Sequence, residues 1–216
     1  GLEAARVAKL RGHEVILLEA SDRLGGQVLL AAKARARQDM IGITDWLSRE
    51  LDALDVDVRY NLYAEAQDVL DLAPDVVILA TGGIPQQRLE NGGETLALTS
   101  WDALLLAEPP QGRCLIYDED GAHSAISLAE TLAAKGGVVE LMTPYRRVGN
   151  ELGGQTYPQY LEQLYSFGVI LTPDHRLTGL RQSGNRITAS VKNMFTRHTH
   201  ELEFDRVILE QGTVPV

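Results

Sequence analysis

Glu19 closes an apolar run, Val15-Ile16-Leu17-Leu18, and a carboxylate at the end of such a strand can accept hydrogen bonds from the hydroxyls of an adenosine ribose. A few residues on, Ala20 and Arg23 lead into Leu24-Gly25-Gly26-Gln27, where adjacent glycines let backbone approach a bulky ligand and Gln27 offers a polar side chain. A third cluster, Ala80-Thr81-Gly82-Gly83, follows the run Val76-Val77-Ile78-Leu79. Gly1 stands where the last residue of a phosphate-binding loop would sit, directly before a helix whose N-terminal N–H groups attract anions. Singly these are plain turns and strand ends. Together they place several ligand-facing loops at the carboxyl edge of one sheet, where open α/β sheets hold ligands.

The elements that carry these loops can be read from spacing. Leu2, Ala5 and Ala8 recur at helical intervals and Gly12 ends that helix. Val15 to Leu18 is bounded by turn residues and apolar throughout, as befits a parallel strand covered on both faces. Gln38 to Leu54 forms an amphipathic helix with Ile43, Leu47, Leu51 and Leu54 on one stripe. Val56 to Tyr60 and Val76 to Leu79 are expected strands, with a short helical turn at Val69 to Leu72 before Pro74.

The whole pattern then returns. Gly12-His13-Glu14-Val15-Ile16-Leu17 is echoed by Gly136-Gly137-Val138-Val139-Glu140-Leu141, and Leu24-Gly25-Gly26-Gln27 by Leu152-Gly153-Gly154-Gln155. Asp75 to Pro85 is echoed by Asp205 to Pro215. Three matches in one order imply a duplicated α/β unit. The second copy reads as a strand Cys114 to Tyr117, a helix Ser124 to Lys135, a strand Val138 to Met142, a helix carrying Tyr157, Tyr160, Leu161, Leu164 and Phe167, and a strand Val169 to Leu171. Arg176 to Gln182, Ile187 to Lys192 and Glu201 to Phe204 follow as an antiparallel meander before Val207 to Leu209. The expected fold is therefore α/β: two tandem Rossmann-like, three-layer units, the second with a β meander. The pair Pro109-Pro110 sets the expected boundary, giving domains 1–108 and 109–216. Both ends read as cuts, since the chain opens on a helix start and stops just after a strand.

Composition narrows the function classes. Among 216 residues the formal net charge is −10 and no long basic run occurs, which argues against nucleic acid or an anionic membrane as partner. No apolar stretch approaches the roughly 20 residues that span a bilayer, and a single cysteine, Cys114, suits a reducing cytoplasm. His175, His198 and His200 form no coherent ligand set, and neither a nucleophile nor a general acid stands out.

Gly1-Leu2-Glu3-Ala4-Ala5-Arg6, Val15 to Glu19, Leu24 to Gln27 and Ala80 to Gly83 resemble the two-dinucleotide-binding-domain flavoproteins. Within these the chain is most similar to the C-terminal region of NADH:flavin oxidoreductases related to old yellow enzyme, the group of trimethylamine dehydrogenase, 2,4-dienoyl-CoA reductase and the N-methyl amine demethylases. The resemblance implies FAD or ADP in the first unit, held by Gly1, Glu19, Ala20, Arg23, Gly25, Gly26 and Gln27, with Ala80, Thr81 and Gly82 lining the approach and Ala64 offering backbone to adenine. It implies FMN and a 4Fe–4S cluster in a preceding barrel that also takes the small-molecule substrate, an electron-transfer flavoprotein as partner, and a homo-oligomeric full-length enzyme. The second unit departs from the pattern: where a pyridine-nucleotide site wants glycines, Tyr117-Asp118-Glu119-Asp120-Gly121 brings three acids, which argues against NAD(P)H there. Arg146 and Arg147, placed where a 2′-phosphate would be read, keep a conventional NAD(P)H-dependent reductase using both repeats as an alternative. A non-catalytic ADP-binding module is the other.

Overall fold

A computed structural model describes all residues from Gly1 to Val216. The chain forms two compact units, one of residues 1–32, 38–82 and 215–216, the other of residues 33–37 and 83–214.

In the first unit, α1 (Leu2–Leu10) leads to β1 (Ile16–Leu18), α2 (Gln27–Ala31), α3 (Ile41–Ala53), β2 (Asp57–Arg59) and α4 (Ala66–Leu70). β1 and β2 pair in parallel, Ile16 opposite Asp57 and Leu18 opposite Arg59. Ala5 of α1, Leu24 and Leu51 of α3 are buried together, with Leu2, Val15, Leu17, Val56 and Val58 packed against them. The apolar stripe of the helices thus finds the apolar face of the strand pair, as their periodicity requires.

The expected strand Val76 to Leu79 is not a strand. Its four apolar side chains are 78%, 49%, 64% and 83% exposed. The reason is a missing neighbour, because β structure exists only as hydrogen-bonded pairs, and the sheet formed by β1 and β2 does not extend to this run. Its counterpart in the second unit, Val207 to Leu209, is paired in parallel with residues 98–99 on one side and 115–117 on the other.

The second unit opens with β3 (Gly83–Pro85), β4 (Leu98–Thr99) and α5 (Ser100–Leu105). Then come β5 (Arg113–Asp118), α6 (His123–Ala134), β6 (Val138–Met142), α7 (Tyr157–Ser166) and β7 (Ile170–Thr172). β8 (His175–Ser183), β9 (Arg186–Asn193) and β10 (Thr199–Phe204) form the antiparallel meander, followed by β11 (Arg206–Glu210) and β12 (Thr213–Pro215), which pairs with β3. The main sheet is parallel, in the order β4-β11-β5-β6-β7. Alternation along its strands serves two cores. Cys114, Ile116, Val139, Leu141 and Ile208 pack with α6 and α7, whereas Leu115, Tyr117, Met142, Val207 and Leu209 pack with the meander residues Leu177, Ala189, Val191 and Phe204. The apolar runs at the centres of β5, β6 and β11 are buried on both faces, giving the layered α/β fold expected.

The boundary between units lies at Gly82/Gly83, not between residues 108 and 109. Residues 86–108 are bound into the second unit by backbone: β4 pairs with β11, the Asn91 N–H donates to the Thr178 carbonyl (2.7 Å), and the Leu180 N–H to the Gly92 carbonyl (3.0 Å). Pro109-Pro110 is an internal bend between α5 and β5.

Candidate functional site

Glu19 lies just past β1. Its N–H donates to the Arg59 carbonyl (2.9 Å) and its carbonyl accepts from the Leu62 N–H (3.0 Å), so the strand pair fixes the backbone that carries the carboxylate. The side chain is oriented by Ser21, whose N–H (2.9 Å) and hydroxyl (2.7 Å) both donate to Oε1. Sequence reasoning passed over Ser21; the signal was its position two residues after an acid, a spacing at which a hydroxyl and its own N–H commonly bind one acceptor.

Ala20 and Arg23 are exposed beyond Glu19, and Arg23 pairs with Asp45 on α3 (3.1 Å). Leu24 is buried, pinning the loop, and a Cβ at Gly25 would lie within 2.9 Å of Thr44 and Leu29 side-chain atoms, so this residue is set by packing under the loop. Gly26 is exposed with open space around it and precedes α2; Gln27 is the first residue of that helix. A Cβ at Gly82 would lie 3.5 Å from the Gln27 amide nitrogen, and one at Gly1 would lie 3.7 Å from Ala80. The structure therefore brings Gly1 to Ala80 and Gln27 to Gly82. Thr81 donates through its hydroxyl to the Val216 carbonyl (2.9 Å). Ala64 is exposed in the loop after β2, which is tied to the Glu19 turn by the Leu62 bond and by the Asn61 N–H donating to the Ser21 carbonyl (2.9 Å). The residues around Gly1, Ala80 and Gly82 are small, and the Glu19 carboxylate is oriented by Ser21.

The corresponding edge of the second unit has the opposite character. Asp118, at the end of β5, is fully buried. Its Oδ1 accepts from the N–H groups of Gly121 (2.8 Å) and Asp120 (3.2 Å), while its Oδ2 has no hydrogen-bond partner. Burial pushes this carboxyl up to about 7; the Gly121 bond opposes that rise, and the nearby charges of Glu210 and Asp120 add to it. Glu210 sits opposite Asp118 across the β11–β5 ladder. It is also buried, which raises its pKa, and it accepts from the Ser100 hydroxyl and the Gly212 N–H (3.0 Å). Glu119 is engaged by Gln211 (2.6 Å) and Arg176 (3.8 Å). Sequence reasoning missed Glu210, although alignment of the two repeats sets it against Ala80.

The remaining candidates resolve into packing. Arg147 donates to the carbonyls of Asn150 and Leu152 (3.1 and 3.3 Å) and lies over the Tyr157 ring, so it is committed to its own loop. Arg146, mostly exposed, pairs with Asp174 (3.7 Å) and covers Phe195. His123 has its pKa lowered by burial and lies 3.3 Å from the Tyr160 hydroxyl. His175 has both ring nitrogens in hydrogen-bond contact, Nδ1 with the Pro173 carbonyl (2.7 Å) and Nε2 with the Asn193 amide (3.1 Å). No group of three or more His, Cys, Asp or Glu side chains is arranged to hold a metal. Cys114 is buried and its thiol is pushed up to about 12 by burial, the signature of a core residue. No helix is long and apolar enough to cross a membrane.

No family model matches the chain. Curated relatives do, from end to end. An N,N-dimethylglycine/sarcosine dehydrogenase of Chromohalobacter salexigens is 40% identical over 222 residues, covering 100% of this chain and 32% of that protein. A multifunctional alkene reductase/demethylase OYE of Caballeronia cordobensis is 39% identical over 218 residues, again covering 100% and 32%. The chain thus spans about a third of the length of the curated relatives it matches. Among solved structures, histamine dehydrogenase from Rhizobium sp. 4-9 superposes with a TM-score of 0.85 at 21% identity, covering 98% of this chain and 34% of the other.

Proposed function

We propose that this chain, which matches flavin-dependent oxidoreductases and demethylases end to end over about a third of their length, is their dinucleotide-binding portion and that its first unit holds the adenosine half of FAD, or ADP in the same position. The supporting observation is the contrast between the two sheet edges: in the first unit Ser21 holds Oε1 of Glu19, Gly1 lies near Ala80 and Gly82 near Gln27, whereas the second edge carries buried acids. In this reading Glu19 accepts the ribose hydroxyls and the N–H groups at the start of α1 face the pyrophosphate. Gly26 lets the backbone approach, above a loop packed down at Gly25; Ala20, Arg23 and Gln27 flank the ligand, Ala64 offers backbone to the adenine, and Ala80 to Gly82 line its entrance. A bound flavin supplies the electron chemistry, and these residues only position it.

Substrate oxidation, on an amine or an enoyl-type compound, belongs in this proposal to FMN and a 4Fe–4S cluster elsewhere in the full-length enzyme, with an electron-transfer flavoprotein as acceptor and a homo-oligomeric assembly. The test of the nucleotide assignment is calorimetric titration of the full-length enzyme with ADP. Glu19→Ala should weaken binding by roughly 1–3 kcal/mol, the range for losing hydrogen bonds to a charged acceptor. A dissociation constant equal to that of the parent removes Glu19 from the site.

A further inference from the structure

We propose that Asp118 closes the second unit to dinucleotides by occupying, with its own carboxyl group, the loop N–H groups that an incoming phosphate would engage. This deepens the reading above, in which only the first unit holds a nucleotide.

The position is an anion site by construction. β5 is a central strand of a parallel sheet, its carboxyl end turns through residues 119–122, and α6 begins at once, twelve residues long and with no side chain capping its first turn. A strand leading through a tight loop into a helix presents N–H groups to negative charge. Here those donors are taken: Asp118 Oδ1 receives both the Asp120 and the Gly121 N–H. The side chain that does this is wholly buried, and its other oxygen has no donor. Packing alone does not account for such a residue, since an apolar side chain would fill the space without stranding a polar atom. A carboxyl group bound by loop N–H groups stands in for a phosphate.

The surroundings reinforce the closure. Glu210 flanks Asp118 on the neighbouring strand, and a Cβ at Gly212 would lie 3.3 Å from Asp120 Oδ1, so Asp120 reaches across the mouth of the loop. The Gly121 carbonyl is held by the Glu151 N–H (2.9 Å) and the Tyr145 hydroxyl donates to the Glu119 carbonyl (2.8 Å), which fixes the loop around its internal anion.

The experiment uses the full-length enzyme with ADP saturating, so that the first unit is filled, and titrates inorganic pyrophosphate and then NADH. The parent and Asp118→Asn, whose amide oxygen still accepts both N–H groups, should show no saturable binding. Asp118→Gly and Asp118→Ala should gain saturable pyrophosphate binding. Equal behaviour of Asp118→Gly, Asp118→Ala and Asp118→Asn in folded protein overturns the proposal, as does pyrophosphate binding by the parent in this loop. Hydrogen exchange on the parent gives a readout that needs no variant: protected Asp120 and Gly121 amides support the contact, and fast exchange there refutes it. Failure of ADP itself to bind would strike the assignment of the first unit and leave this comparison standing.

Discussion

Replacing Asp118 by Asn should make the protein more stable at neutral and alkaline pH, by up to about 4 kcal/mol, and should flatten its stability profile. Buried Asp118 titrates near 7 rather than near 3.8, and a displacement of about three pH units corresponds to about 4 kcal/mol at about 1.4 kcal/mol per unit. Below about pH 4 the residue is protonated in both folded and unfolded chains, so it carries no charge penalty. Between about pH 4 and 7 only the unfolded chain ionises, binds fewer protons, and stability falls as pH rises. Above about 7 both states are ionised and the loss is complete. Asn keeps the acceptor for the Asp120 and Gly121 N–H groups but cannot ionise, so the parent should lose stability relative to the variant across that window and no further beyond it. Urea unfolding at a series of pH values measures this directly. A constant difference between the two proteins from pH 4 to 8 would show that the charge of Asp118 carries no penalty.

Gly93→Ala should destabilise the second unit by about 3 kcal/mol or more, within the range for steric overpacking combined with backbone strain. Gly93 has φ +95, and a Cβ there would stand 2.1 Å from the Leu180 carbonyl oxygen and 2.8 Å from its carbon, both backbone atoms that no rotamer change can move. The contact lies where Asn91 and Gly92 are hydrogen-bonded to β8. Gly184→Ala is the control: φ is +57 but nothing lies within 4 Å, so it carries only the left-handed penalty of about 1 kcal/mol. Thermal unfolding of both variants decides the matter. Similar shifts would mean that the segment 86–97 gives way without consequence, and with it the argument that this segment is built into the second unit.

The sequence reported some of this fold better than the rest, for physical reasons. β5, β6 and β11 are readable because strands buried on both faces are mainly apolar, with Glu140 an exception within β6, and the helices because one stripe of each faces a sheet. The boundary was misplaced because Pro109-Pro110 breaks an element without separating domains, whereas what holds residues 86–108 in the second unit is backbone pairing, which leaves no mark in side-chain type. Glu19 is conspicuous in the sequence from its strand-end position; Ser21, which orients its carboxylate, is not, because a hydroxyl near an acid is commonplace until the turn brings them together. The acids at 118–120 were read as repelling phosphate from outside. In the fold Asp118 turns inward onto its own loop, so part of that acidity is internal.

Val76 to Leu79 carries a final consequence. An uncovered run of β-branched and aliphatic residues, flanked by one acid at Asp75, is a template for intermolecular strand addition, with few of the gatekeeper charges that normally blunt such a ribbon. Any species in which it stays bare should self-associate as concentration rises, visible as growth in sedimentation coefficient, and Ile78→Lys should suppress that growth. Solubility of this region is thereby tied to whatever polypeptide lies alongside the ribbon.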